Sequence, residues 1–162
     1  MVIVNVDAIL TQFNQLQVDY LLIGGMSYLL RHQPVLTFDV DLWIEPGAEN
    51  RQLAEKALAL LNASWGRSED DWEPVSVKPT GWLTGQSVFC LHCPHGAIDI
   101  FLAVAGLEDW QTVNQRGISD TTSTGCPYRS ISDQDLLQCQ LVLSETEQKK
   151  DRVAYLRSRL QP

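Results

Sequence analysis

No apolar run in this chain approaches the roughly 18 residues that a membrane-spanning helix needs. No basic stretch accompanies the opening Met1-Val2-Ile3-Val4-Asn5, so no secretory signal is expected. Positive charge is scarce: 12 Lys and Arg stand against 20 Asp and Glu, a net charge of -8. That balance excludes a broad, sequence-independent grip on DNA or RNA, which needs a basic surface, and leaves only a small basic patch near the C-terminus. There is no linker, low-complexity tract or internal repeat, so residues 1–162 are expected to form one domain. Cysteine is limited to Cys90, Cys93, Cys126 and Cys139. The segment Cys90-Leu91-His92-Cys93-Pro94-His95 has the look of half a zinc knuckle, but no second spaced pair exists to complete four ligands. The thiols read instead as buried small hydrophobes. Unpaired thiols point to a cytoplasmic protein.

What the chain does have is an ordinary supply of core. Its apolar fraction of 44% and charged fraction of 20% suit a soluble α/β domain. Asn5 or Asp7 can cap a first helix bearing Ile9, Leu10, Phe13, Leu16 and Gln17. Tyr20-Leu21-Leu22-Ile23 reads as a buried strand, broken by Gly24-Gly25, with a short helix from Met26 to Arg31 stopped at Gln33-Pro34. From Thr37 to Ile44 the pattern alternates. Phe38, Val40 and Leu42 point to the core, and Thr37, Asp39, Asp41 and Trp43 to the other face. Pro46-Gly47 opens a helix from Ala48 to Asn62. Residues 65–86 are irregular, with Val75 to Lys78 as a short strand. Ser87 to His92 and Ala97 to Val104 form a hairpin. Arg116 to Arg129 supplies an edge strand or two. Two helices close the chain, signalled by capping boxes at Ser132–Asp135 and Ser144–Glu147.

The chemistry concentrates in three carboxylates. Asp39 and Asp41 are two apart on a strand and therefore share a face. Asp99 lies inside the apolar run Ala97-Ile98-Asp99-Ile100-Phe101. A charge there is costly without a partner. If the two strands are neighbours, the acids converge and repel, and a divalent cation removes the conflict. Mg2+, or Mn2+ in its place, prefers such oxygen ligands and bridges them to substrate phosphates. Gly24 and Gly25 complete the picture. A glycine turn entering a helix offers N–H donors and lets a phosphate reach the backbone, and the Ser27 hydroxyl is positioned in sequence to add a donor.

The segment Val18 to Gly25, followed by Thr37-Phe38-Asp39-Val40-Asp41-Leu42 and by Asp99, resembles the nucleotidyltransferase superfamily of the DNA polymerase beta type. It is most similar to the small branch of minimal nucleotidyltransferases and abortive-infection toxin-like proteins. The tail fits that branch too, through Ile131-Ser132, Leu136-Leu137, Lys149-Lys150-Asp151-Arg152 and Leu156. The resemblance implies a nucleotidyltransferase-like fold: a small mixed β-sheet flanked by helices, with further helices at the C-terminus. It implies transfer of a nucleoside monophosphate from an NTP to a hydroxyl of a protein, an RNA or a small molecule. Asp39, Asp41 and Asp99 would hold the metal, Asp99 would help deprotonate the acceptor, and Gly24, Gly25 and Ser27 would bind the nucleotide.

The chain departs from the family where basic residues are usual. Val35 stands where relatives carry arginine, and Gln138 and Gln140 where they carry lysine. Arg31, Lys78, Lys149 and Arg152 are the available replacements. These departures keep a second reading open: an impaired nucleotidyltransferase-fold protein, acting as a nucleotide-binding or protein-interaction module, as in toxin–antitoxin or defence pairs. Other Asp-x-Asp enzymes fit less well. A haloacid dehalogenase-type phosphatase wants a different sequel than Leu42-Trp43, and a glycosyltransferase wants a longer nucleotide-binding region upstream. Trp43 is read as packing at the sheet rim rather than stacking on a base. Trp65, Trp72 and Trp82 are candidates for a lid or partner surface, and His32 for a partner of a helix C-terminus.

Overall fold

The computed structural model describes residues 4–162. The Asn5 side chain accepts a hydrogen bond from the Ala8 N–H at 3.1 Å and starts α1 (Val6–Gln15), satisfying a donor that a helix start otherwise leaves free. Ile9, Leu10 and Phe13 form its buried face. The helix stops short of the expected Leu16 and Gln17, where Gln17 adopts a left-handed backbone. β1 (Tyr20–Ile23) is buried throughout and runs straight into α2 (Gly24–Arg31), which begins on the two glycines rather than after them. β2 (Asp39–Ile44) and α3 (Ala48–Leu60) follow.

Farther on, β3 (Ser64–Trp65) and β4 (Glu73–Pro74) are two-residue strands. The hairpin is β5 (Val88–Cys93) and β6 (Gly96–Phe101), as its pattern predicts. A short α4 (Trp110–Gln115), which the sequence reading did not foresee, precedes β7 (Ile118–Thr121) and β8 (Pro127–Ser130). α5 (Asp133–Leu141) starts at the Ser132 cap, and α6 (Lys150–Leu160) closes the chain. The strands form one mixed sheet in the order β4-β3-β5-β6-β2-β1-β8-β7, with β2–β6 and β1–β8 parallel. Among the described residues, no helix is long and apolar enough to cross a membrane.

The alternation of β2 sets the two sides. Val40, Leu42 and Ile44 join Ile98 and Ile100 in a core with residues of α1 and α3. On the opposite face Leu21, Ile23 and Trp43 pack against residues of α4, α5 and α6. The structure corrects several expectations. Phe38 precedes the strand and is 63% exposed, so it does not anchor the core. Residues 75–77 form a 3-10 turn, not a strand. Ser144–Glu147 lies in a turn ahead of α6 and does not start it. Of the two strands near residues 116–130, β7 lies at an edge of the sheet, as β4 does at the other, and β8 is interior. Cys93 and Cys126 are buried as expected, but Cys90 is exposed on the open face of β5.

Candidate functional site

Parallel pairing places Asp41 directly opposite Asp99, with Asp39 one pleat along, opposite Ala97. Because each strand buries its alternate residues in the core, the three carboxylates emerge together on the other face. One oxygen from each lies within 4.8 Å of the others. On its far side Asp99 faces Cys90 of β5, a neighbour that sequence spacing did not reveal.

This convergence carries an electrostatic cost. Burial, then the adjacent Asp39 and Asp99 charges, push the Asp41 carboxyl up to about 8. Asp99 rises to about 6, again from burial first and from Asp39 next. One oxygen of Asp41, Oδ1, is buried without any hydrogen-bond partner. A set of three carboxylates with an orphaned buried oxygen suits a hard divalent cation such as Mg2+ or Mn2+, which supplies both the counter-charge and the missing partner. Asp39, Asp41 and Asp99 are the residues that would hold it.

The glycines shape the wall next to these acids. Gly24 has φ +69°, a conformation that side chains resist, and a Cβ there would collide with the Asp41 carboxylate. Gly25 leaves space of a different kind: a Cβ on it would meet Thr37 Oγ1 at 3.2 Å and Arg152 Nη2 at 3.5 Å. The first turn of α2 has no side-chain cap, so its N–H groups are available to an anion.

Ser27 is placed otherwise than expected. It is fully buried, and its Oγ lies 2.5 Å from Ser130 Oγ, which is itself within 3.1 Å of the Leu22 carbonyl. One helical turn past Gly24, its side chain points to β8 rather than to the acids, so it ties helix to sheet and offers no donor to a phosphate.

The basic candidates separate in the same way. Arg31 donates to Asp133 at 2.6 Å and to the Ile131 carbonyl at 3.0 Å. Lys78 pairs with Glu73 at 3.1 Å and lies over Trp65. Both are therefore occupied structurally. Lys149 and Arg152 instead line a cleft beside α2. Trp43 is 2% exposed and its carbonyl accepts from Trp110 Nε1 at 2.9 Å, which confirms packing as its role. Trp65 and Trp82 stack on each other with Phe89 packed at an angle against both, and of the three candidates only Trp72 is exposed. His32 pairs with Asp133 at 2.7 Å. Thr37, read at first only as a strand residue, proves to border the glycine turn. Its position two before Asp39 on an alternating segment was the available signal.

No family model matches this chain, and no curated protein matches its sequence. Solved structures do match its fold. One is a candidate nucleotidyltransferase from Thermotoga maritima, with a TM-score of 0.57 and 16% sequence identity over 95% of this chain and 91% of that one. The fold is nucleotidyltransferase-like. At that identity the likeness speaks for the fold, and the chemistry has to be argued from the site.

Proposed function

We propose that the protein is a metal-dependent nucleotidyltransferase that moves a nucleoside monophosphate from an NTP to an acceptor hydroxyl. The observation that carries this reading is the convergence of Asp39, Asp41 and Asp99 beside a glycine turn that yields its side-chain space to Asp41. The nucleotidyltransferase-like fold supports it. A divalent cation would neutralise the clustered carboxylates and the charge on the phosphates. Asp39 and Asp41 would hold that cation, and Asp99 would share it. Gly24 and Gly25 would let the phosphates approach the first turn of α2. Asp99, whose oxygen lies within 4.8 Å of those of Asp39 and Asp41, would stand beside the metal to help take the acceptor hydroxyl's proton. The acceptor oxygen then bonds to the α-phosphorus as its bond to the bridging oxygen breaks, and pyrophosphate leaves.

The test combines binding and turnover. Magnesium with an NTP should raise the thermal stability of the wild type but not of a D39N/D41N double variant. Incubation with NTP labelled at the α-phosphorus and with candidate proteins, RNA ends or small alcohols should release pyrophosphate and label an acceptor. A second reading rests on Val35, Gln138 and Gln140, uncharged where relatives carry cations. Gln140 has a structural task here, accepting the Lys149 N–H at 2.7 Å. On this reading the chain binds a nucleotide or a partner protein, as in a toxin–antitoxin or defence pair, without transfer. Metal-dependent NTP binding with no labelled acceptor and no pyrophosphate would favour it.

A further inference from the structure

The pleat of β5 takes apart the half-knuckle Cys90-Leu91-His92-Cys93-Pro94-His95. Cys93 turns into the core and is 4% exposed. Pro94 and His95 form the turn into β6, where the His95 carbonyl accepts from the Asn5 N–H at 2.8 Å. Cys90 and His92 are left two apart on one face of the strand, both exposed. That face is the one that carries the acids. Cys90 stands directly across the ladder from Asp99. His92 stands across from Ala97, whose small side chain separates it from Asp39 on β2.

An exposed thiol is out of keeping with the rest of the chain. Cysteine is among the most buried residue types, and where it is retained its chemistry usually counts for more than its packing. Cys93, Cys126 and Cys139 all pack with apolar residues of the two cores, to which Cys90 does not belong. The layering of the sheet explains why Cys90 is accessible. Residues of α4, α5 and α6 cover β1 and β2 on this side, whereas Cys90 and His92 stay open to solvent. A sulfur, an imidazole nitrogen and a carboxylate oxygen thus border one patch of open sheet. Opposite residues on paired strands stand about 5 Å apart and diagonal ones about 7–8 Å. Those spans let Cys, His and Asp side chains meet on one ion at about 2 Å from each donor. Among the described residues, only Asp39, Asp41 and Asp99 already hold donor atoms within 4.8 Å of one another, so Cys90 and His92 close on an ion by rotating exposed side chains.

We infer that Asp99, Cys90 and His92 form a second cation position, on the β5 side of the acids, and that it takes a thiophilic divalent ion such as Zn2+ or Co2+ in preference to Mg2+. The first position, among Asp39, Asp41 and Asp99, offers oxygen alone and suits a hard ion. A thiolate and an imidazole beside it reverse that preference. A carboxylate has two oxygens, so Asp99 can serve both. As the metal–sulfur bond forms, the Cys90 S–H proton leaves to solvent. Three protein donors leave a coordination position open. The inference rests on the proposed function only in sharing Asp99 with its metal, and it needs no nucleotide.

The test is a titration of the reduced protein with Co2+, free of nucleotide and chelator, followed by near-ultraviolet absorbance. Charge transfer from sulfur to cobalt appears there only when a thiolate binds the ion. The wild type should develop this band, Cys90→Ser should abolish it, and Cys139→Ser should keep it. His92→Gln should weaken Co2+ binding by at least the roughly tenfold that loss of even an outer partner costs a metal site. In calorimetric competition, Cys90→Ser should lower the ratio of Zn2+ to Mg2+ affinity by at least that factor. Both replaced side chains are exposed, so the variants should melt near the wild type in chelator. The D39N/D41N double variant removes the first position and should retain the band; loss of the band there would make Cys90 a ligand of the first ion and overturn a second position. No band in the wild type, a band that survives Cys90→Ser, or an unchanged ratio of Zn2+ to Mg2+ affinity overturns the inference, even where magnesium supports nucleotide transfer. A Cys90-dependent band in a protein that releases pyrophosphate from no NTP would uphold the second position and sink the transferase reading.

Discussion

The Asp41 carboxylate occupies the space that a side chain on Gly24 would need. Strand β2 can therefore bring its second acid against the start of α2 only because residue 24 has no Cβ and tolerates φ +69°. Gly24→Ala is expected to cost about 1–3 kcal/mol from the left-handed backbone alone. It should also push Asp41 aside. Thermal melts with and without manganese check this: the variant should melt lower in chelator and lose most of the wild type's metal-induced rise. A variant that melts and binds manganese like the wild type would remove the link between the glycine and the acid.

Asp41→Asn should stabilise the metal-free protein. The change keeps the shape, removes a buried charge crowded by Asp39 and Asp99, and gives the orphaned Oδ1 position a neutral neighbour. In chelator at pH 8 the gain should be on the order of 1–2 kcal/mol. It should shrink as pH falls and vanish only below about 4, where the unfolded aspartate is protonated too. With saturating metal the order should reverse, the wild type being the more stable.

The pH profile follows with a definite sign. An unfolded aspartate titrates near 3.8, whereas folded Asp41 titrates at about 8 and Asp99 at about 6. Between those values the folded chain keeps protons that the unfolded chain has released. Stability in chelator should therefore fall as pH rises from about 4 to 8, by no more than about 1.4 kcal/mol per pH unit for each proton held. Metal binding must displace those protons, so metal should stabilise more at pH 8 than at pH 6 and should release protons on titration into weak buffer. Equal stabilisation at both pH values would place the metal elsewhere.

Most of this site was legible before any coordinates. Period-two alternation gives Asp39 and Asp41 one face, and the apolar run around Asp99 gives it a buried strand of its own. Both are local signals that depend only on the pleat. Parallel pairing of β2 with β6, which turns two facts into one cluster, depends on sheet order; the sequence left that neighbourhood conditional, and the resemblance implied only that Asp99 joins the other acids. Where sequence reading failed, the cause was tertiary. Ser27 looked like a phosphate donor because it follows the glycines, but helical rotation carries it to Ser130 of β8, a partner 103 residues away. Phe38 carried the apolar alternation one residue upstream of where the strand begins. Arg152 was one of four candidate cations, and only the packing of α6 against Tyr28 distinguishes it.

That rotation can be tested directly. Ser27→Ala removes one buried hydroxyl shared with Ser130 and should cost about 1 kcal/mol. NTP affinity and its magnesium dependence should not change. A loss of affinity out of proportion to the loss of stability would restore Ser27 to the nucleotide site.

Asp133 is the hub that docks α2 on α5. It accepts from Arg31 at 2.6 Å and from His32 at 2.7 Å, side chains only 6% and 2% exposed, and Arg159 of α6 approaches at 3.4 Å. Burial alone would raise its carboxyl, but the His32 bond and the Arg31 charge outweigh that and hold it below the ordinary aspartate value. Asp133→Ala strands a buried guanidinium and imidazole, and should cost about 3–5 kcal/mol. The sign of the pH dependence is opposite to that of the metal-site acids. The Asp133 contribution is present above the unfolded aspartate pKa and is lost as pH falls through its lower folded value. The gap between wild type and variant in urea melts should therefore hold from pH 7 to pH 5 and close only in acid. Because α2 also carries Gly24 and Gly25, Asp133→Ala should weaken magnesium-dependent NTP binding as well, although Asp133 contacts only the far end of that helix.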